Sequence, residues 1–152
     1  MHAGVDEGTG YVHTITGTAA NVHDIEGAPK LFREDDTVGY GDSGYIGLEK
    51  RPEVKEDASL SKIDYRICKR PSSLKCPSTY AGIQWDRLEE HRKSSIRCKV
   101  EHPFLIVKRE FGYKKVRYRG IQRNMNRFMV LFGSANLLMC IRARRTAEFC
   151  MG

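Results

Sequence analysis

The sequence predicts an α/β fold, and two observations carry that prediction. Three short runs within the first 68 residues are rich in β-branched residues or alternate in polarity, and each is bounded by turn formers. Beyond residue 82 the pattern changes to apolar residues three and four apart, sustained over two long tracts. The expected order is strand–strand–helix–strand–helix–strand–helix–helix.

The first clear strand is residues 10–18, Gly-Tyr-Val-His-Thr-Ile-Thr-Gly-Thr. Gly8-Thr-Gly10 is its turn, and the opening residues are its hairpin partner. Asn21 and Asp24 are N-cap candidates for a helix from Ile25 to about Arg33, which Gly27 and Pro29 weaken. A strand over Thr37–Gly41 ends on Asp42. A short helix over Ile46–Arg51 is stopped by Pro52, and residues 53–60 read as a charged surface loop. Lys62–Cys68 alternates, with Ile63, Tyr65 and Ile67 on one side, and reads as a strand. Residues 70–82 hold Pro71, Pro77, Gly82 and several serines and read as a loop. A long helix spans about Ile83–Arg109 with a kink at Pro103, and a second runs from about Asn124 to Arg142. There is no repeat and no low-complexity segment. The chain, 1–152, is read as a single domain: 1–67 mostly strands with short helices, 68–82 a loop, and 83–145 a helical basic region.

A chain of 152 residues is long enough for one domain with a core, and 40% hydrophobic with 30% charged residues is ordinary for a globular protein. The longest apolar tract, Phe128–Ile141, is interrupted by Gly133, Ser134 and Asn136 and is too short to span a membrane. It reads as a buried helix, and no membrane partner is expected. Met1–Asp6 has neither the basic start nor the apolar core of a secretory leader. The five cysteines, Cys68, Cys76, Cys98, Cys140 and Cys150, contain no Cys-x-x-Cys and no zinc spacing. Free thiols in a reducing cytoplasm are the plain reading.

The net charge of +7 hides an asymmetry. Residues 1–60 hold 12 acids against 5 Lys/Arg, whereas residues 61–152 hold 7 acids against 21 Lys/Arg. An acidic half beside a basic half suits chemistry on a polyanion. From Arg92 to Arg145 there are 15 Lys/Arg and 2 acids, Glu101 and Glu110. Lys93, Lys99, Arg109, Lys114, Lys115, Arg117 and Arg119 are the candidate phosphate contacts there. Phe111, Tyr113 and Tyr118 interleave with the last four; Tyr113 is read as a DNA contact that stacks on splayed bases rather than as a core anchor, while for Phe111 the two readings are even.

The series Arg97, Glu101 and Lys108 is the most informative. On a helix Glu101 lies about 40° around from Arg97, and Lys108 about 20°. One acid is thereby framed by two cations, while Ile96, Val100, Phe104 and Val107 form an apolar stripe on another face. The face suits a carboxylate that stays ionised, holds a divalent cation and works beside phosphate. The alternative is a solvated face with ordinary Glu/Lys pairing. Upstream, Asp42 ends a strand among Gly39, Gly41 and Gly44, where an α/β sheet exposes its site; alone, Asp-Ser-Gly is equally a turn. His102 is read as a structural residue before Pro103, His13 and His23 as strand and helix-cap residues, and Asp6 as a turn residue.

Together these motifs resemble DDE-type transposases of bacterial insertion sequences, in the insertion-sequence-five group. Arg97-(3)-Glu101-(6)-Lys108 looks like that family's C-terminal signature, and Tyr40-Gly-Asp42-Ser-Gly-Tyr45 resembles the stretch carrying its second catalytic Asp. His2-Ala-Gly-Val-Asp6, Thr18-Ala-Ala-Asn-Val-His-Asp24, Arg70-Pro-Ser-Ser73, Val100-Glu-His-Pro-Phe104 and Phe132-Gly-Ser-Ala-Asn-Leu137 are similar too, in the same order. Two departures stand out. The signature's Tyr is replaced by Ser94, and the family's first catalytic Asp lies on a strand upstream of the segment that begins here at His2. The resemblance therefore implies the C-terminal part of a transposase, truncated ahead of its first strand.

The resemblance implies a ribonuclease-H-like fold lacking that strand, with two C-terminal helices. It implies Asp42 and Glu101 as two of three acids holding Mg2+ or Mn2+, with Arg97 and Lys108 as catalytic cations. It further implies DNA ends and target as partners, with itself or an intact transposase as an oligomer, in the bacterial cytoplasm at the nucleoid. The expected function is DNA transposition by a fragment that binds DNA and is inactive alone. A non-catalytic DNA-binding or regulatory remnant, or a pseudogene product, is the competing expectation.

Overall fold

Short strands precede two long helices, and the chain divides into two compact units. The computed structural model describes residues 1–19, 21–70 and 80–151. One unit comprises Met1, residues 3–19 and the residues from 99 onward; the other comprises His2 and the described residues of 20–98.

In the first unit β1 (His2–Val5) pairs with β2 (Val12–Thr16). The short connection, 6–11, leaves only an antiparallel arrangement open. Asp6 holds this turn as its sequence suggested: its Oδ1 accepts the Thr9 N–H at 2.7 Å and the Thr9 hydroxyl at 2.6 Å. Its carbonyl accepts the Gly10 N–H at 2.9 Å. The rest of the unit is the end of α3 (Tyr80–Arg109) and α4 (Ile121–Met151). Val12, Ile106, Val107, Met125, Phe128, Phe132 and Ala135 are its buried core. Phe104 meets Phe132 edge-on, with centroids 5.0 Å apart. Asn136 ties α4 to β2, its Oδ1 accepting the Val12 N–H at 3.0 Å and its Nδ2 donating to the Val12 carbonyl at 2.8 Å. One amide side chain thus satisfies both polar groups of a strand residue that is otherwise buried.

In the second unit β3 (Val38–Gly41) and β4 (Asp64–Ile67) run parallel, with Val38 opposite Asp64 and Gly41 opposite Ile67. A parallel pair needs a crossover, and residues 42–63 supply it. That crossover carries 3₁₀ turns at Ser43–Tyr45, Leu48–Lys50 and Leu60–Lys62 and the short α2 (Pro52–Glu56). Ala28, Leu48, Val54, Leu60 and Ile63 make the core. Gly39 is where side chain and strand approach most closely: a Cβ there would stand 2.6 Å from the Phe32 ring. Phe32 in turn packs edge-on against Tyr65 at 5.3 Å.

The mixed α/β expectation holds, as do the hairpin, the two strands ending near Asp42 and Cys68, and both long helices. Several local expectations do not. The helix expected over 25–33 is one α-turn, α1 (Asp24–Gly27), followed by a 3₁₀ turn over Ala28–Leu31. Pro29, which has no N–H, sits at the start of the second piece. The residue preceding α1 is His23, without a side-chain cap, and not Asn21 or Asp24. The expected helix at 46–51 is a 3₁₀ turn. Pro52 does not stop a helix but starts α2, where its fixed φ suits the first position. The charged stretch 53–60 is consequently not a plain loop, since Val54 and Leu60 are core residues. Helix α3 begins at Tyr80 and continues through Pro103, which is fully buried. Helix α4 extends three residues earlier and nine later than expected. The loop expected at 70–82 lies largely outside the described residues, as does Cys76.

Candidate functional site

Asp42 takes its position from the strand before it and the turn after it. β3 delivers it at a carboxyl end, and its extended backbone opens the 3₁₀ turn of Ser43–Tyr45. Its Oδ1 accepts the Gly44 N–H at 2.8 Å, and its carbonyl accepts the Tyr45 N–H at 3.1 Å. The turn reading and the site reading of Asp42 are therefore compatible: one oxygen builds the turn and the other points away from it. That second oxygen, Oδ2, lies 4.0 Å from Arg97 Nη1 on α3. Both side chains are partly exposed, so water screens this pair and its own contribution to stability is small.

The neighbouring strand ends on the same helix. The Cys68 N–H donates to the Gly41 carbonyl at 2.9 Å, continuing the β3–β4 ladder. The Lys69 N–H donates to Glu90 Oε2 at 2.9 Å, and Lys93 Nζ donates to Glu90 Oε1 at 3.0 Å. Burial pushes the Cys68 thiol up, Glu90 and Asp42 push it further, and Arg97 and Lys93 oppose them. The carboxyl ends of both parallel strands thus face one stretch of α3 carrying Glu90, Lys93 and Arg97. Tyr45 belongs to the same surroundings; burial first, then Asp24 and Asp42, raise its phenol pKa. Glu90 has no motif around it and was missed in the sequence. A Glu-x-x-Lys pair, Glu90 and Lys93, was the available signal, and it is the commonest of helix patterns.

Glu101 and Lys108 are exposed residues of α3, on the turns that follow Arg97. The described residues contain no group of three or more His, Cys, Asp or Glu side chains placed to hold a metal ion. Asp42 and Glu101 have the carboxylate chemistry that magnesium favours, but the described residues do not assemble a complete cage. His102 is exposed; Pro103 beside it is buried.

In the first unit, residues 110–120 form a strap between α3 and α4. Phe111 and Tyr113 turn inward onto the core. Tyr113 packs on Phe128 at 5.2 Å, and the Arg127 guanidinium lies over its ring at 5.4 Å. Tyr113 is therefore a packing anchor in this structure, where the sequence favoured a base-stacking ring. Tyr118 is half exposed. Lys114, Lys115, Arg117 and Arg119 are all exposed, as are Lys108 and Arg109 at the end of α3. Asn124 pins the strap: its Nδ2 donates to the carbonyls of Tyr118 and Gly120 at 2.6 and 2.7 Å, and its Oδ1 accepts the Tyr118 N–H at 3.3 Å. Gly112 (φ 61°) and Gly120 (φ 88°) supply left-handed turns that few other residues accept. Lys99 is committed elsewhere in the unit, donating to the Glu7 carbonyl at 2.7 Å.

A scan of family models matches the one described as the transposase DDE domain over residues 1–137. No solved structure matches the chain.

Proposed function

The chain belongs to the transposase DDE domain family, and from that premise we propose that it serves DNA transposition by binding DNA through its basic strap. One observation carries this reading: the strap holds Phe111 and Tyr113 inward and presents Lys114, Lys115, Arg117 and Arg119 to solvent, pinned by Asn124. Four cations on an anchored strap, with Lys108 and Arg109 beside it in sequence, suit a row of phosphates more than any single small anion. Binding is then strongly salt-dependent and nearly indifferent to base sequence. With six phosphates neutralised, affinity for a duplex falls by about 10³ between 50 and 200 mM salt. An anisotropy titration reads this directly, and a flat response to salt overturns the proposal.

In the same reading Asp42 and Glu101 are the second and third acids of the family's set, and Arg97 and Lys108 contact phosphate or the charge that develops during transfer. What supports it is the order of the motifs, the placement of Asp42 at a strand's carboxyl end, and the Arg97 guanidinium at 4.0 Å from its Oδ2. Arg97 marks where an anionic backbone would approach. Members of the family generally use a divalent metal, which supplies Lewis-acid activation of the phosphodiester when bound. Mg2+ or Mn2+ is the proposed ion, DNA ends and target the proposed partners, and the nucleoid the proposed place of action. The ribonuclease-H-like topology and the insertion-sequence-five group belong to this same proposal.

The competing reading is a DNA-binding remnant without catalysis. Asp42 favours it in one respect, because both oxygens already have partners within the chain, the Gly44 N–H and Arg97. The 152-residue chain alone is therefore expected to leave a DNA substrate bearing the element's ends uncut with either ion. In a preparation that does cleave, Asp42→Asn or Glu101→Gln is expected to lower the rate at least about a hundredfold, with DNA affinity changed only a few-fold. Cleavage that survives either substitution removes that residue from its role.

A further inference from the structure

The strap between α3 and α4 carries three aromatic rings, and two of them serve the core. Phe111 packs against it, and Tyr113 lies between Phe128 and the Arg127 guanidinium. Tyr118 is different. It is 50% exposed and belongs to neither core cluster. Among the described residues no ring or guanidinium packs on it, and no group bonds its hydroxyl.

A singly exposed apolar residue is ordinary on a protein surface, but two further observations set Tyr118 apart. Its main chain is fixed on both sides of the ring: the N–H donates to Asn124 Oδ1 at 3.3 Å, and the carbonyl accepts from Asn124 Nδ2 at 2.6 Å. The same amide holds the Gly120 carbonyl at 2.7 Å. The ring is therefore presented from a backbone that has little freedom left to lose on binding. The second observation is charge. Arg117 and Arg119, on either side in sequence, are both exposed. Two residues of chain span at most about 7 Å, the scale of the step from one phosphate to the next along a strand. Val116 and Ile121, 60% and 50% exposed, add apolar surface close by in sequence.

These features fit a nucleotide whose base is free. In a continuous duplex each base face is covered by its neighbours, and opening a step costs unstacking. An outward ring gains little there. A nucleotide that is already unpaired offers a bare face, and stacking on an aromatic ring tolerates any base. Resting on the reading that the strap binds DNA phosphates, we infer that Tyr118 is a stacking platform for an unpaired nucleotide whose flanking phosphates are held by Arg117 and Arg119. The strap then prefers DNA with a disrupted base pair over continuous duplex.

Anisotropy titrations of the full chain with three labelled DNAs test this. They are a continuous duplex, the same duplex with one bulged adenosine, and that bulge with its base removed. The two bulges carry the same phosphates, so counterion release is matched and the base alone differs. The adenosine bulge is expected to bind about 5- to 100-fold more tightly than the abasic one, the worth of one base on one ring. Tyr118→Ala should bring the two bulges to the same affinity, and Tyr118→Phe, which keeps the ring, should preserve the difference. Neither change touches the Asn124 bonds, which use only the main chain of Tyr118, so the strap keeps its form. The salt slope should be unaltered in Tyr118→Ala, because stacking releases no counterion, whereas Arg117→Ala should reduce it by about 0.7–0.9. Equal affinity of the parent for the two bulges overturns this inference alone. So does a difference that survives Tyr118→Ala, which assigns the base to another residue, or one lost in Tyr118→Phe, which assigns it to the hydroxyl. A chain that binds none of the three DNAs, or binds them with no response to salt, overturns the DNA-binding reading and this inference with it.

Discussion

Phe132→Ala is expected to destabilise the chain by about 3–5 kcal/mol, the largest effect of any single core truncation here. Phe132 is 1% exposed and stands at the centre of an aromatic series, with Phe104 at 5.0 Å on one side and Phe128 at 6.4 Å on the other. Removing the ring forfeits its burial and the edge-on contact. It also leaves a cavity that two helices and a hairpin cannot close without moving. The position of Asn136 makes such movement costly. It lies one helical turn along α4 and holds both polar groups of Val12, so a shift of α4 toward the cavity strains those bonds. Chemical denaturation followed by circular dichroism reads the loss as a lower midpoint with unchanged slope. Val116→Ala, at a residue 60% exposed on the strap, is the control and should stay within about 0.5 kcal/mol of the parent. A Phe132→Ala midpoint matching that control would place the core of this unit elsewhere.

The core of the first unit could be read from the sequence because long helices give periodicity many residues in which to repeat. Phe104 and Val107 on α3 emerged as part of the buried stripe, and Phe128–Ile141 read as a buried helix, which holds for Phe128, Phe132 and Ala135 but not for the exposed Val130, Leu137 and Ile141. Ile96 and Val100, at the other end of the predicted stripe, are only partly buried. The crossover between β3 and β4 was misread because its elements are one turn long. Val54 sits alone between Glu53 and Lys55, and no periodicity can be measured over a single apolar residue. Pro52 carried the right information with the opposite sign, since proline both ends one helix and begins another.

The candidate site divides in the same way. Asp42 was legible because glycines on both sides mark a strand end and a turn. Its contact with Arg97 joins residues far apart in sequence, and spacing alone contains no such distance. Glu90 was invisible for a related reason: its importance comes from the Lys69 N–H, which the fold brings to it from β4. Tyr113 shows the limit of composition. A ring among cations reads as a base-stacking platform, and only the packing against Phe128 and Arg127 shows it as an anchor.

That separation makes a prediction about DNA. Replacing Lys114, Lys115, Arg117 and Arg119 together by alanine is expected to weaken duplex binding by about 10³–10⁴ at roughly 0.1 M salt. Each lost phosphate contact removes about 0.9 from the logarithmic salt slope and close to a factor of ten in affinity at that concentration. The parent and the variant should therefore converge as salt approaches molar, because the difference between them is counterion release and nothing else. Stability should hold, since all four side chains are exposed and the strap is pinned by Asn124 and by its two inward rings. Tyr113→Ala should do the reverse. It removes the ring from Phe128 and leaves the Arg127 guanidinium, whose Nη1 is buried without a hydrogen-bond partner among the described residues, without the ring face beneath it. Stability then falls while the salt slope of any remaining folded protein stays that of the parent. If the four-alanine variant binds DNA with an unchanged slope, the phosphates are held elsewhere and the strap is only a connection between two helices.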